Sequence, residues 1–379
     1  MRTRTVLVTG TGGGGRTTVA AATAVAGARR GERVLLLTTG PDPVGEAVPG
    51  LDVARIDSGE VFRGRLLALQ ERAGGVLETL GAEPLEPGEL TTLPGAAEFA
   101  LLSVPARAGG AHDLVVVDMP PLADTVAALA LPEQLRRYLR RLLPPERQAA
   151  RALRPLLAQL AGVPMPAQGL YQAAARWDAE LAAAEAFVAD ADTSVRIVLE
   201  PGPAATEALR TGSAALALYG LRPDAVIANR LLPTASPDPW LSALAAQQQA
   251  HLKTLHTTTG DDRIVELPHL GHDPRPGAAD LDRLAHEGPP PRPALAWPVE
   301  DRRAAEGVLL WRIPLPAARR EELGLVRRGD ELVLDVAGHR RIVPLPPALR
   351  RCTVSGAALA DGELRIRCTP DPGLWPRTP

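Results

Sequence analysis

Five nearly continuous apolar runs recur along the N-terminal part of the chain, and each stops at a polar or glycyl residue. They are Val6-Leu7-Val8 before Thr9-Gly10, Val34 to Leu37 before Thr38, Leu114 to Val117 before Asp118, Val195 to Leu199 before Glu200, and Val226-Ile227-Ala228 before Asn229. Runs of this kind predict strands of a mainly parallel sheet buried on both faces, with a ligand crevice along one edge. Between the first two runs, Val19 to Ala28 reads as an alanine-rich helix, so a βαβ unit closes within about thirty residues. From about 131 to 192 the period turns helical, broken at Leu143-Pro144-Pro145 and at Val163-Pro164-Met165-Pro166, which predicts a helical insertion. Glu287 to Pro293 is a proline-rich stiff linker by composition. Beyond it the pattern alternates. Val308 to Ile313, Glu331 to Val336, Arg340 to Val343 and Glu363 to Arg367 read as short strands, with hairpin turns at Arg328-Gly329-Asp330, Ala337-Gly338-His339 and Asp361-Gly362. The predicted fold is therefore α/β, a doubly wound mainly parallel sheet with a helical insertion, plus a small antiparallel β-sandwich at the C-terminus. The expected boundaries are 1–288, a linker at 289–305, and 306–379.

Length and composition narrow the function. The chain has 379 residues, more than one compact core usually organises, in keeping with two units. Forty-two basic against 44 acidic side chains leave a formal charge of -2, which excludes the footprint of a nucleic-acid binder. The apolar stretch after Met1-Arg2-Thr3-Arg4 is too short for a signal peptide, and no stretch approaches the ~20 apolar residues of a membrane span. The two cysteines, Cys352 and Cys368, form neither a disulfide framework nor a CxxC clip, so a reducing cytoplasm is expected. They read as core thiols, or as a pair facing each other on neighbouring strands.

The candidate chemistry lies in Gly10-Thr11-Gly12-Gly13-Gly14-Gly15-Arg16-Thr17-Thr18, a glycine loop between a strand and a helix. Its spacing fits G-x-x-x-x-G-K-[ST] with Arg16 in place of lysine. Glycines allow backbone N–H groups to turn inward around an anion, and the helix presents its positive end to it.

This loop resembles the deviant phosphate loop G-K-G-G-V-G-K-T-T of the ArsA/GET3 family of P-loop ATPases. The resemblance continues at Pro94-Gly95-Ala96-Ala97-Glu98, similar to that family's P-G-x-D-E. Asp118 to Thr125 is similar to its D-T-A-P-T-G-H-T switch, and Asn229-Arg230-Leu231-Leu232-Pro233 to its N-R-x-x-P segment. It spans about the first 290 residues and implies an ATP- and Mg²⁺-binding unit in a homodimer. On this resemblance Gly12, Gly13, Gly14, Gly15, Arg16, Thr17 and Thr18 hold phosphates, Thr17 and Asp118 hold Mg²⁺, and Asn229 either reads adenine or caps a loop. The C-terminal unit resembles the α-crystallin (Hsp20-like) domain of small heat-shock proteins through Ala357 to Leu364 and Arg341 to Pro346. A C-terminal domain of this kind is a known arrangement in ArsA-like ATPases. The tail from Pro370 to Pro379 lacks the I-x-I segment that joins small heat-shock proteins into shells.

The departures from the family are chemical. Thr11 stands where the first lysine would reach a partner's nucleotide, and Arg16 replaces the compact ammonium of the second with a planar fork. Lys253 is the only lysine in the chain. Ala123 and Asp124 replace the Gly and His of the switch, and Asp124 adds negative charge. The aspartate that positions the attacking water aligns with Gly40-Pro41, or, after a two-residue slip, with Asp42 as a catalytic group. Phosphoryl transfer rests on positioning and charge stabilisation. The sequence thus implies a degenerate ATP binder with weak or absent hydrolysis, coupled to a protein client. The alternatives are an active ATPase in which Arg16 and Asp42 take over, and a nucleotide-free chaperone-like scaffold. The helical insertion has a single methionine, Met165, and Leu131 to Leu142 forms an amphipathic helix with a basic face. That helix is expected to pack its leucines on the sheet and solvate its arginines.

Overall fold

The computed structural model describes residues 3–79, 83–91, 95–105, 110–142, 167–259, 261–286, 288, 289, 292 and 294–375. Seven parallel strands form the first unit: β1 (Arg4–Gly10), β2 (Val34–Thr38), β3 (Leu51–Arg55), β4 (Leu114–Pro121), β5 (Thr193–Leu199), β6 (Pro223–Leu231) and β7 (Ile264–Pro268), in the order β3-β2-β4-β1-β5-β6-β7. The five apolar runs are β2, β4, β1, β5 and β6. The central strand β1 is buried from Thr5 to Gly10 and pairs with β4 on one side and β5 on the other. Sequence reasoning missed β3 and β7. Both are edge strands with one neighbour and no continuous apolar face, so their residues do not carry the signature of a doubly covered strand.

The helices around this sheet are α1 (Arg16–Arg29), α2 (Ser58–Thr79), α3 (Ala96–Ser103), α4 (Leu122–Leu142), α5 (Ala167–Ala189), α6 (Pro203–Ala217), α7 (Pro239–Thr259) and α8 (Ala278–Arg283). Two apolar clusters sandwich the sheet. Val6, Val8, Val116 and Ile227 face α1, whose residues Val19 to Ala28 are all buried, whereas Leu7, Val117 and Ile197 face α3, α4 and α6. The helix read from Leu131 begins nine residues earlier, at Leu122, directly after the β4 switch segment, and runs through Pro132. It pairs with α5 through Arg136, which bonds Asp178 at 3.2 Å and also meets Glu185. Its leucines are not its only anchors, because Arg136 and Arg137 take carboxylate partners; Arg140 and Arg141 are exposed, as expected. The two proline breaks and Met165 lie outside the described residues.

The second unit is a sandwich of two antiparallel sheets. One is β10 (Leu323–Arg328), β11 (Glu331–Val336) and β12 (His339–Pro344), and the other runs in the order β13 (Cys352–Ala360), β14 (Glu363–Pro370), β9 (Val308–Pro314), β8 (Val299–Arg302). All three expected hairpin turns form, and Asp361 and Gly362 adopt the positive φ angles of 53° and 68° that a two-residue turn between Ala360 and Glu363 requires. β8 starts inside the stretch expected to be linker, because Val299 to Arg302 find hydrogen-bonding partners along β9. Cys352 and Cys368 are free and buried, and their register is offset, Cys368 standing opposite Val354. Burial pushes the Cys368 thiol up to about 11.

The two units share a core. Ala214, Ala217 and Leu218 at the end of α6 join Trp311, Leu332, Leu334 and Leu364 in one apolar cluster. Arg341 of β12 clamps the joint: it pairs with Glu133 of α4 at 3.0 Å, donates to the Leu218 carbonyl, and lies 5.0 Å from the Tyr219 ring centre and 5.3 Å from that of Trp297. Arg137–Glu331 at 2.6 Å and Arg210–Glu322 at 2.7 Å span the same boundary. Among the described residues no helix is long and apolar enough to cross a membrane.

Candidate functional site

The glycine loop leaves β1 at the point where the sheet's connections diverge, between β4 and β5. Thr11 donates its backbone N–H to the Val198 carbonyl at 3.0 Å, and Gly14 donates to the Thr11 carbonyl at 3.2 Å, which closes a tight turn. Gly13 and Gly15 have φ of 75° and 89°, a left-handed region that side chains disfavour. A Cβ added at Gly12 or Gly13 would meet nothing within 4 Å, so no other part of the described protein packs on the exposed tip of the loop. The first turn of α1 follows directly. Its N–H groups at Arg16, Thr17 and Thr18 precede the first intrahelical donor, Val19 to Gly15 at 2.9 Å, and have no intrahelical acceptor. An open nest, unpaired N–H groups and the positive end of a helix together suit a polyphosphate.

Beside the loop, the end of β4 brings up Asp118. Its Oδ2 accepts from Thr17 Oγ1 at 2.8 Å and from Thr38 Oγ1 at 3.2 Å, while Oδ1 is buried without a hydrogen-bond partner. Burial raises the Asp118 carboxyl above its ordinary value, against the opposing pull of the Thr17 hydroxyl, the nearby Arg16 charge and Thr38. A buried carboxylate oxygen with no partner is costly unless something cationic meets it. The residues therefore fit Mg²⁺, which characteristically takes one or two carboxylates and completes its shell with phosphate and water. Among the described residues no group of three or more His, Cys, Asp or Glu side chains could cage a metal by itself. Thr38 was not anticipated as part of this site. It ends β2, accepts the Gly40 N–H at 3.1 Å, and thereby fixes the turn that walls the cleft.

This cleft, of about 310 Å³, is lined by Arg16, Thr17, Thr39, Gly40, Glu98 and Asp118 among others. Arg16 does not plug the loop: its guanidinium donates to the Met119 carbonyl and sits on the Asp118 side of the cleft. Asp42 is not brought to the cleft. It is exposed, and its Oδ1 is occupied by the Val44 N–H at 2.8 Å, so the residue facing the site from this turn is Gly40. Asp124 is likewise exposed in the first turn of α4 and outside the cleft lining. Thr125 instead turns inward, sharing a 2.8 Å hydrogen bond with Thr9 beneath the switch.

Asn229 lies on the other flank of the loop. It is 4% exposed, and its Nδ2 donates to the Gly14 carbonyl at 2.9 Å. A Cβ at Gly15 would lie 2.4 Å from that same nitrogen. Asn229 thus braces the loop, and with Thr18, Arg230, Pro268, His269 and His272 it also lines a second, narrow crevice. Arg230 holds a positive φ of 58°, stabilised by the buried Gln248, whose Nε2 donates to the Arg230 carbonyl at 3.1 Å and whose Oε1 accepts from Leu232 at 2.8 Å. Nothing in the run Gln247-Gln248-Gln249 distinguishes the bracing residue from its neighbours.

Comparisons with known proteins place this arrangement. The model of the anion-transporting ATPase family, ArsA, matches residues 3–45 and 47–287, and the model of the HSP20-like domain found in ArsA matches 306–367. The chain is 56% identical to the uncharacterized protein SCO2128 of Streptomyces coelicolor over 99% of both chains. It is 30% identical to protein Rv2184c of Mycobacterium tuberculosis over 99% of this chain and 98% of the other. It is 24% identical, over 77% of this chain and 76% of the other, to a protein of Aquifex aeolicus assigned by name to the arsenical pump-driving ATPases. The chain belongs to the ArsA family of anion-transporting ATPases, and it carries the HSP20-like domain of that family at its C-terminal end.

Proposed function

We propose that this ArsA-family protein binds Mg-ATP and turns it over slowly or not at all, so that occupancy of the site is its signal. The observation carrying this reading is the pairing of an open nest with a buried, partnerless Asp118 Oδ1 beside Thr17, in a site whose cleft-facing turn presents Gly40 instead of a carboxylate. Gly12 to Gly15 and the N–H groups of Arg16 to Thr18 hold phosphate oxygens. Thr17 and Asp118 hold Mg²⁺, which supplies charge neutralisation of the phosphates when bound. Asn229 fixes the loop through Nδ2, the loop-bracing alternative of the two roles expected for it, and borders the narrow crevice beside the loop. Arg16 contributes charge from the Met119 side, as a planar fork already engaged with a carbonyl, and this weakens its role on the γ-phosphate. Among the described residues the carboxylates lining the cleft are Asp118 and Glu98, the latter in the segment similar to the family's P-G-x-D-E.

The protein client and the homodimer belong to the same reading. So does a cytoplasmic location, supported by two free buried thiols. An active ATPase employing Asp42 gains no support from an exposed carboxylate already bonded to Val44. The test measures retained nucleotide and released phosphate in one sample, for the native chain and for Asp118→Ala. The reading expects Mg-dependent retention with phosphate release no faster than in the variant. Release well above the variant would replace it with the active-enzyme reading.

A further inference from the structure

A larger cavity, about 520 Å³, lies away from the nucleotide cleft, where α6 and β6 of the first unit meet the end of β9. Its walls are apolar at Leu209, Val226, Leu295, Pro314 and Pro316, yet five arginines line it, at 210, 222, 263, 292 and 319, against one carboxylate, Glu207. Glu207 is already neutralised by Arg210 at 2.6 Å. Arg210 and Arg319 belong to an ion-pair network with Glu207 and Glu322. Arg263 is held by Asp262 at 3.0 Å and donates to the Asp224 carbonyl at 3.4 Å. Arg222 and Arg292 differ from these three. Among the described residues neither has an ion-pair partner, and the Nε of Arg222 is buried with no hydrogen-bond acceptor. Burial, and then the like charges of Arg263 and Arg222, hold the Arg292 guanidinium below its ordinary value against the weaker opposing pull of Asp262. The same two arginines also face an adjoining cavity of about 320 Å³ that reaches Trp297 and Ser194.

Uncompensated guanidinium groups crowded together in a half-buried apolar recess destabilise the fold unless an anion joins them. A recess of this size, apolar with a few convergent polar groups, matches the usual form of a small-molecule site. We infer that the junction binds an amphipathic organic anion. Its carboxylate or phosphate monoester meets Arg222 and Arg292, and its apolar body lies along Leu209, Val226 and Leu295. Because α6 and β6 belong to one unit and Pro314 and Pro316 to the other, the ligand bridges them and strengthens their docking. The site is separate from the glycine loop and does not depend on whether that loop takes nucleotide.

The full-length protein is titrated calorimetrically with octanoate and with octyl phosphate. Octanol tests the apolar body alone and inorganic phosphate the head group alone. Saturable one-to-one binding of either anion is expected, with octanol and inorganic phosphate at least tenfold weaker, and with the tighter anion identifying the head group. Arg222→Gln with Arg292→Gln should weaken it at least tenfold, whereas Asp118→Ala, which removes the carboxylate of the nucleotide cleft, should leave it unchanged. Should the double variant fail to fold, Arg292→Gln alone is used, with a threefold or greater weakening expected. Absence of saturable binding, octanol binding as tightly as octanoate, or a loss in Asp118→Ala with none in the arginine variants would each overturn the assignment.

Discussion

Replacing Gly15 by alanine probes the brace of the glycine loop. The native φ of 89° is left-handed, which costs a residue with a Cβ roughly 1–2 kcal/mol. Reduced freedom of the unfolded chain returns about 0.4–1 kcal/mol. The new methyl would also lie 2.4 Å from Asn229 Nδ2, well inside contact distance, and Asn229 is too buried to swing into water. Its amide must leave the Gly14 carbonyl, and a buried amide stripped of its acceptor costs about 1–3 kcal/mol. The sum is about 1–5 kcal/mol of destabilisation for Gly15→Ala, centred near 3 kcal/mol. In an Asn229→Ala background the collision is absent, so the same substitution should cost only the net backbone strain, about 1 kcal/mol, leaving a coupling of about 1–3 kcal/mol between the two sites. Urea unfolding followed at 222 nm reads the first unit selectively, because the helices α1 to α8 all belong to it. Costs that add without coupling, within about 0.5 kcal/mol, would refute the claim that Asn229 and Gly15 occupy each other's space.

His286 supplies a pH prediction. It donates from Nδ1 to the Leu284 carbonyl at 3.1 Å and accepts at Nε2 from the buried Arg196 at 3.3 Å, and burial together with that positive charge lowers its pKa to about 4. The unfolded chain binds this proton first, near the ordinary 6.5, so the contribution is complete above that value and is lost as pH falls from about 6.5 to about 4. The loss is on the order of 3 kcal/mol at most, and His286→Gln should flatten that part of a stability-versus-pH curve. At the joint between the units, Arg341→Ala leaves the Glu133 carboxylate unpaired and removes stacking on Tyr219 and Trp297. A cost of about 2–4 kcal/mol and faster proteolysis between the units are expected, and unchanged cleavage would contradict the clamp. Restoring lysines at Arg16 and Thr11 should tighten Mg-ATP binding about tenfold or more, the effect of one charge-assisted hydrogen bond. No gain on titration would mean that the loop is not shaped for phosphate.

The apolar runs at β1, β2, β4, β5 and β6 were legible because strands covered on both faces must be apolar throughout. The edge strands β3 and β7 were not, since a strand with one neighbour and a solvated face leaves no continuous run. The phosphate loop and Asp118 were readable from spacing, whereas Thr38 and Gln248 were not. Their roles come from strand register and from a helix packing across a turn, and ordinary threonine and glutamine residues give no local sign of either. The position of Asp42 was undecidable from sequence because Gly40-Pro41-Asp42-Pro43 offers two alignments. The geometry of the turn, with Asp42 capping Val44, brings Gly40 to the cleft. The start of α4 was misplaced because Leu122 to Ala130 continues the apolar character of the strand before it, so no change of period marks the boundary.

The most direct test of the nucleotide site is calorimetric titration of the apo protein with ATP, with and without Mg²⁺, alongside Asp118→Ala. Saturable binding that Mg²⁺ strengthens in the native chain but not in the variant is the predicted result. No heat and no thermal shift up to millimolar Mg-ATP would contradict the central claim that the glycine loop and Asp118 still form a polyphosphate site.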